Sequence, residues 1–386
     1  METSNKRSKG LSDAKLFSPV KIGAIELAHR VVMAPLTRMR TDDGGIPNDL
    51  MAQYYSQRAT TGGFIIAEST LVSTNGQAYR GAPGIYNKAQ TEGWKKISNA
   101  IHAQGAKTFL QLWHGGRMAH SDLLPDGGQP IGPSVVAHDA LAFTTEWVPA
   151  TPNKAATIEE IQAIVRDFRV AAENAKAAGF DGIELHGANG YLIDQFLQDG
   201  SNKRTDEYGE SIPNRVRLLM EVVTQMVAVF GGDRVGVRLG PSGTWGGMSD
   251  SDPVALFTYT VEQLNKFGLA YLHLIEPRIF GSFDREDLVV PIAAAQLRKV
   301  FKGPIIAAGG FQGQEAADII EKGDADLVAF GRHFIANPDL VNRLRNEFPL
   351  NPYDRPSFFG GDARGYIDYP YYDEKASTLL TESIAG

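Results

Sequence analysis

The sequence predicts a single-domain (β/α)₈ barrel. Eight short apolar or β-branched runs occur along its 386 residues, and most are separated by segments whose apolar residues recur at helical three- and four-residue spacing. Strands that alternate with helices pair in parallel, and eight such units fit a closed barrel. The competing doubly wound sheet usually carries Gly-x-Gly-x-x-Gly after its first strand, and the sequence contains no such fingerprint.

The elements can be assigned in chain order. Residues 16–27 predict a β-hairpin ahead of the barrel. The predicted barrel strands cover residues 30–34, 64–68, 108–113, 182–186, 234–239, 271–275, 304–308 and 326–330. The predicted helices cover residues 90–104, 158–178, 214–230, 253–267, 291–301, 314–322 and 338–347. The connection after the third strand, residues 114–157, is long enough to act as a lid.

The chain is expected to form one domain over residues 1–386. The barrel would span about residues 15–370, with flexible segments at residues 1–11 and after residue 372.

Composition narrows the class of protein. Hydrophobic residues make up 43% of the chain and charged residues 22%, which is ordinary for a globular protein with a sizeable core. The 38 basic residues against 45 acidic ones give a net charge of −7, which argues against nucleic acid or an anionic membrane as a partner. The absence of cysteine excludes disulfides, thiolate nucleophiles and iron–sulfur clusters. With no apolar leader and no run of membrane-spanning length, a cytoplasmic enzyme is expected.

The fourth predicted strand ends at His186, and Asn189 and Tyr191 follow closely. Histidine and asparagine both offer neutral N–H donors for a developing oxyanion. Tyrosine, with a pKa of about 10, is a protonated acid at neutral pH. A single histidine at a strand end is more often structural, but this close grouping favours a reaction that forms an enolate-like anion and protonates it. No zinc-like ligand spacing accompanies His186, so a metal site is not predicted.

Arg238 is predicted to point into the barrel from the fifth strand. Strand alternation sends Gly236 and Arg238 inward, and the small glycine would leave room for the long side chain to reach the catalytic face. A buried arginine needs an anion. One interpretation is an internal ion pair with Glu184; the other is stabilisation of negative charge on a bound ring.

Other strand ends carry polar or small residues. Gln111 and Trp113 share one face of the third strand, where a carboxamide suits the pyrimidine edge of a flavin or a nucleobase. Alternatively, Gln111 caps a loop and Trp113 fills the core. Thr37, after the first strand, could bond a ring carbonyl or simply mark the strand's exit into a loop. The small Ala67 in the second strand would let a flat ring lie close.

The loops after the last two strands predict a phosphate site. Gly309 and Gly310 follow the seventh strand, and Gly331 and Arg332 follow the eighth. Barrels commonly bind phosphate at these two loops, with exposed backbone N–H groups and an arginine as donors. Each loop is a weak signal alone, and together they favour a phosphate ligand.

These residues carry a resemblance to the Old Yellow Enzyme family. The segments APLTR at 34–38, QLWH at 111–114 and HGANGY at 186–191 occur in the family's order and approximate spacing. AGG at 308–310 and FGR at 330–332 complete the series, and the similarity covers about residues 15–370.

The resemblance implies a TIM-barrel ene-reductase that uses FMN and takes electrons from NADPH or NADH. Tyr191 would donate a proton to the substrate's α-carbon, and His186 and Asn189 would bind its carbonyl or nitro oxygen. The resemblance implies cofactor contacts at Pro35, Leu36, Thr37, Ala67, Gln111, Arg238, Gly309, Gly310, Gly331 and Arg332. The substrate pocket would also be shaped by Tyr79, Trp113, Ile279 and Phe359.

One departure from the family pattern lies in the pocket. Phe359 stands where many members have tyrosine, which should alter the substrate range more than the core reaction. Two other functions stay open: a redox-inert flavin-binding protein, and a flavin-free isomerase or lyase acting on a phosphorylated substrate. Enones, nitroalkenes and nitrate esters all remain candidate substrates, and the protein could be a monomer or a homodimer.

Overall fold

The computed structural model describes residues 10–280, 283–284 and 292–373, and it forms a closed barrel of eight parallel strands with helices between them. Neighbouring strands follow chain order around the barrel, and the last pairs with the first. This confirms the predicted fold class. The barrel strands are β1 (Val31–Met33), β2 (Phe64–Leu71), β3 (Lys107–Trp113), β4 (Gly182–Gly187), β5 (Val235–Leu239), β6 (Tyr271–Ile275), β7 (Ile305–Ala308) and β8 (Leu327–Phe330).

The helices of the described residues lie outside the barrel. They are α1 (Asp49–Arg58), α2 (Lys88–Ala103), α3 (Ile158–Ala177), α4 (Leu192–Leu197), α5 (Ile212–Phe230), α6 (Pro253–Leu264), α7 (Ala294–Leu297), α8 (Gly313–Lys322), α9 (Arg332–Ala336) and α10 (Leu340–Arg345). None of these helices is long and apolar enough to cross a membrane.

Three of these helices were missed by the periodicity analysis. Helix α1 buries Tyr54, Tyr55 and Arg58, so its inner face does not form an apolar stripe in the sequence. Helices α4 and α9 are too short to show a period. Helix α7 is shorter than predicted for residues 291–301, of which residue 291 lies outside the described residues.

The predicted N-terminal hairpin is present as Val20–Ile22 paired with Ile25–Leu27. Its side chains Ile22, Ile25 and Leu27 are buried in one cluster with barrel-interior residues such as Phe64 and Tyr271. The hairpin therefore closes the N-terminal end of the barrel with apolar side chains.

Side chains of β5 alternate between the two layers as predicted. Val235, Val237 and Leu239 pack in the cluster between barrel and helices, and Arg238 points to the inner face. The role expected of Gly236 was wrong. A Cβ at this position would lie 2.3 Å from ring atoms of Tyr271, so the glycine makes room for that ring and not for the arginine.

The connection after β3 contains four short strands: Ile131–Gly132 pairs with Lys154–Ala155, and Leu141–Phe143 pairs with Trp147–Pro149. After β6, Ile279–Phe280 pairs with Phe283–Asp284. These two connections lie at the C-terminal end of the barrel. Their residues Leu141, Trp147 and Ile279 line a pocket at that end.

The predicted flexible termini lie mainly outside the described residues. Within them, Leu11 contradicts the expectation of a loose N-terminus up to residue 11, because it is buried in the core cluster. It opens a short 3₁₀ turn, Leu11–Asp13, and lies beside helices α8 and α10.

Candidate active site

A cavity of about 460 Å³ opens at the C-terminal end of the barrel, within the size range of ligand pockets. It brings together most residues expected from the sequence, although they come from segments far apart in the chain. The expected residues that line it are Pro35, Leu36, Thr37, Tyr79, His186, Asn189, Tyr191, Arg238, Ile279, Gly309, Gly310, Gly331, Arg332 and Phe359.

Three expected site residues do not line the cavity. Ala67 is buried in the cluster between barrel and helices, and after a register shift in β2 it is Ser69 that reaches the pocket. Gln111 lies one layer deeper and bonds Ser69. Trp113 lies behind the pocket wall and stacks on Tyr79 at 5.5 Å. Their expected contacts with cofactor or substrate stay predictions.

His186, near the end of β4, presents a neutral N–H to the cavity. Its Nδ1 accepts a hydrogen bond from the backbone N–H of Ala188 at 3.4 Å, so the ring proton belongs on Nε2. Burial lowers the pKa of His186 well below its ordinary value, and the positive charge of Arg238 lowers it further. The imidazole is therefore an uncharged donor at neutral pH.

Asn189 occupies a turn that helix α4 holds in place. The residue has φ of 58°, in the left-handed region that asparagine tolerates better than most side chains. The next residue, Gly190, donates its N–H to Asp194 at 2.9 Å and accepts from the side chain of Gln195 at 2.7 Å. The Asn189 carboxamide, half-buried at the cavity, has no hydrogen bond to another described residue.

Tyr191 supplies a protonated hydroxyl beside these donors. Its oxygen lies 2.8 Å from the hydroxyl oxygen of Tyr79, and its ring meets the His186 ring edge-to-face at 5.0 Å. Burial raises the pKa of Tyr191 to about 12, so the phenol keeps its proton at neutral pH.

Arg238 is a buried cation that forms no direct ion pair with another described residue. Its Nε has no hydrogen-bond partner among the described residues. The proposed internal ion pair with Glu184 is not formed by contact, since the two carboxylate oxygens bond Gln111 and His273 instead. A guanidinium that lines a cavity with an unpaired N–H suits an anionic or acceptor-rich ligand.

The loops after β7 and β8 leave backbone exposed in the same cavity. Gly309 and Gly310 have φ of 152° and 69°, conformations that favour glycine. A Cβ at position 309 would lie 2.9 Å from the Cβ of Glu276, so a side chain is also excluded by space. Gly331 precedes α9, and Arg332 begins that helix with its guanidinium 5.6 Å from the Tyr353 ring centroid.

The mouth of the pocket is aromatic, and sequence analysis missed part of it. The Trp147 ring meets Tyr79 at 5.6 Å and Phe359 at 5.4 Å, both edge-to-face. Trp147 and Phe359 remain 42% and 36% exposed. Trp147 begins a three-residue strand in the long connection after β3, which is too short to give a periodic signal, and only the length of that connection pointed to a lid.

A sequence model of the NADH:flavin oxidoreductase / NADH oxidase family matches residues 15–351. The chain belongs to this family. It is therefore an NAD(P)H-dependent flavin oxidoreductase, which confirms the Old Yellow Enzyme resemblance. This membership does not support the flavin-free isomerase or the redox-inert alternative.

Curated relatives and solved structures agree with the family. The chain is 47% identical to 12-oxophytodienoate reductase 1 of Oryza sativa subsp. japonica over 361 residues, 93% of each chain. It is 44% identical to 12-oxophytodienoate reductase 2 of Arabidopsis thaliana, covering 97% of this chain and all of that one. Morphinone reductase superposes with a TM-score of 0.89 at 42% identity, covering 95% of this chain and 99% of that one. The old yellow enzyme homologue from Zymomonas mobilis gives a TM-score of 0.88 at 38% identity, covering 92% and 99%.

Proposed function

We propose that this flavin oxidoreductase is an FMN-dependent ene-reductase, which reduces the C=C bond of an α,β-unsaturated carbonyl compound or a nitroalkene with NAD(P)H. The observation that carries the proposal is the convergence of His186, Asn189 and Tyr191 on a cavity that Arg238 also lines. Two neutral donors, a protonated phenol and a buried cation suit a reaction that builds up negative charge and then quenches it.

The pocket residues fit FMN. The unpaired Nε of buried Arg238 suits the acceptor-rich end of an isoalloxazine ring, and the glycine loops at 309–310 and 331 suit a phosphate beside Arg332. Thr37, with Pro35 and Leu36, would hold the ring from the β1 side. When bound, FMN would carry hydride from NAD(P)H to the substrate's β-carbon.

His186 and Asn189 would bind and polarise the substrate. The Nε2–H of His186 and the carboxamide N–H of Asn189 would both donate to the carbonyl or nitro oxygen. Because His186 is neutral, its bond strengthens as the oxygen gains negative charge, which lowers the barrier to hydride addition at the β-carbon. The same two donors suit the oxygens of a nitrate ester, a third candidate substrate.

Tyr191 would complete the reduction by giving its phenolic proton to the α-carbon. A hydride at the β-carbon and a proton at the α-carbon together saturate the bond. The resulting phenolate of Tyr191 would accept a hydrogen bond from Tyr79 across the 2.8 Å gap until a proton from solvent restores it.

Isotope placement tests this assignment. Purified protein should be yellow from bound FMN and lose that colour anaerobically with NADPH or NADH. When 2-cyclohexenone is then reduced in D₂O, deuterium should appear at the α-carbon and protium at the β-carbon. With 4-deuterated NADPH in H₂O, the label should move to the β-carbon. A colourless protein, or NADPH consumption that does not depend on the alkene, would overturn the proposal.

A further inference from the structure

A chain of buried hydrogen bonds runs beneath the pocket and plays no part in the chemistry proposed above. The Ser69 hydroxyl, which lines the cavity, donates to the Gln111 carbonyl oxygen at 2.5 Å. The Gln111 amide nitrogen donates to Glu184 Oε1 at 2.7 Å, and Glu184 Oε2 lies 2.9 Å from Nδ1 of His273. These side chains are all at least nine-tenths buried.

Strand register explains why these residues meet. Glu184 of β4 is the register partner of Gln111 on the neighbouring strand β3 and of Gly236 on the other neighbour, β5. Arg238 and His273 are register partners on β5 and β6. Inward-pointing side chains of four strands therefore form one polar layer between the pocket and the apolar hairpin side chains that close the N-terminal end of the barrel.

The carboxylate fixes the direction of every bond in the chain. An ionised carboxylate can only accept, so Gln111 must turn its amide nitrogen toward Glu184 and its carbonyl oxygen toward Ser69. Nδ1 of His273 must likewise carry the proton. Nε2 of His273 is buried without a partner among the described residues, and burial lowers the pKa of this histidine, so the ring is neutral.

The same carboxylate acts on Arg238. Burial lowers the pKa of Arg238, and the negative charge of Glu184 opposes that effect. The neutral His273 does not cancel the charge of Glu184. The positive charge of Arg238 at the pocket is therefore partly offset by the negative charge of Glu184 in the layer below. Removing that anion would leave the positive field of Arg238 stronger at the cavity.

We propose that Glu184 is a positioning residue for the cofactor: it sets the orientation of the Gln111 carboxamide and offsets the charge of Arg238, and so holds the reduction potential of bound FMN down. The inference rests on the proposed function, which supplies the FMN. Glu184 itself does not line the cavity and would touch neither FMN nor the substrate.

The test is the midpoint potential of the flavin in the holoenzyme, measured spectroelectrochemically. Glu184→Gln keeps the shape and removes the charge, so reduction of FMN should become about ten-fold more favourable, a rise of about 30 mV for a two-electron couple. Glu221→Gln is the control. It also replaces a glutamate by glutamine, but one on helix α5 that bonds the Tyr208 hydroxyl, outside this chain and away from the pocket. The midpoint potential of FMN bound to this control variant should equal that of FMN in the parent protein.

Ser69→Ala provides a second measurement that leaves the barrel interior intact. Losing one hydrogen bond to the Gln111 carbonyl should weaken FMN binding to the apoprotein about five-fold in a fluorescence titration. Equal potentials in the parent and Glu184→Gln would overturn the inference while leaving the proposed function standing. If Glu184→Gln does not fold, unchanged FMN affinity in Ser69→Ala overturns it instead. A parent that binds no FMN overturns both proposals.

Discussion

The hydroxyl oxygens of Tyr79 and Tyr191 lie 2.8 Å apart at the pocket wall, and each ring packs against the indole of Trp113. This hydrogen bond lowers the pKa of Tyr191 against the larger, opposing effect of burial. Tyr79 therefore favours proton release by its neighbour.

The pair predicts graded losses in alkene reduction and none in flavin reduction. Tyr191→Phe should slow alkene reduction by about 10²- to 10⁴-fold, the usual size of a general-acid contribution. Tyr79→Phe should slow it by about ten-fold, because Tyr191 keeps its proton but holds it more tightly. Stopped-flow kinetics would follow both steps, and flavin reduction by NADPH should be nearly unchanged. Equal losses in both steps would contradict the proton-donor role.

His186 and Asn189 predict how the oxidised enzyme binds phenols. Replacing either with alanine removes one donor to the phenolate oxygen, and each loss should weaken binding by about ten-fold or more. Spectral titration of the bound flavin with a substituted phenol measures this affinity. Unchanged binding in both variants would remove them as oxyanion ligands.

Arg40 connects the loop after β1 to the C-terminal segment that carries Phe359 at the pocket mouth. Its guanidinium donates to the carbonyls of Asp362 at 3.0 Å and Ser357 at 2.9 Å, holding the segment that carries Phe359. Arg40→Met removes the bond to the Asp362 carbonyl and leaves the Ser357 carbonyl only its longer bond from Arg38, and it should lower the free energy of unfolding by about 2 kcal/mol. The KM for a bulky enone should rise, with FMN still bound. Arg169→Met, in an exposed ion pair, is the control and should change neither value.

Phe359→Tyr would place a hydroxyl at the pocket mouth beside Trp147. One added hydrogen bond is worth about 1 kcal/mol, so the preference between a carbonyl and a nitro substrate should shift about five-fold. The ratio of kcat/KM values measures this preference, and flavin reduction by NADPH serves as the internal control. A constant ratio would show that position 359 does not set the substrate range.

Asp194 predicts a pH dependence of stability. Burial raises its pKa from 3.8 to about 6. Because the folded pKa is the higher one, this group's contribution is fully present below the unfolded value and is lost as the pH rises through about 6. Asp194→Asn cannot ionise. Between about pH 4 and about pH 7, the parent should therefore lose up to about 3 kcal/mol relative to the variant in urea unfolding. A constant difference would contradict the shift.

Much of this architecture could be predicted from the sequence. The alternation of strands and helices was sufficient for the barrel, and the inward position of Arg238 followed from a period of two along β5. The glycine loops after β7 and β8 could be assigned to the pocket because all parallel strands end at one rim.

Other positions depend on strand irregularities and contacts between strands, which the periodicity of the sequence does not predict. The irregularity in β2 between Ala67 and Thr70 puts Ser69 at the pocket, while Ala67, which was expected there, faces the helices. The space beside Gly236 is taken by a ring from the neighbouring strand, which only the register reveals. Trp147 reaches the mouth from a three-residue strand in a long connection, where its contacts depend on the whole fold.

Ile22, Ile25 and Leu27 close the N-terminal end of the barrel, so in the part of the chain that the structure describes the pocket opens at the C-terminal rim. On the proposed function, a nicotinamide donor and an alkene would both enter from this rim, which carries Trp147 and Phe359, and would compete for the same cavity. The two compounds should therefore bind in strict alternation during turnover. An excess of either one should inhibit the reaction of the other. The closed N-terminal end of the barrel would therefore constrain the order of the catalytic cycle, as the reactive side chains do.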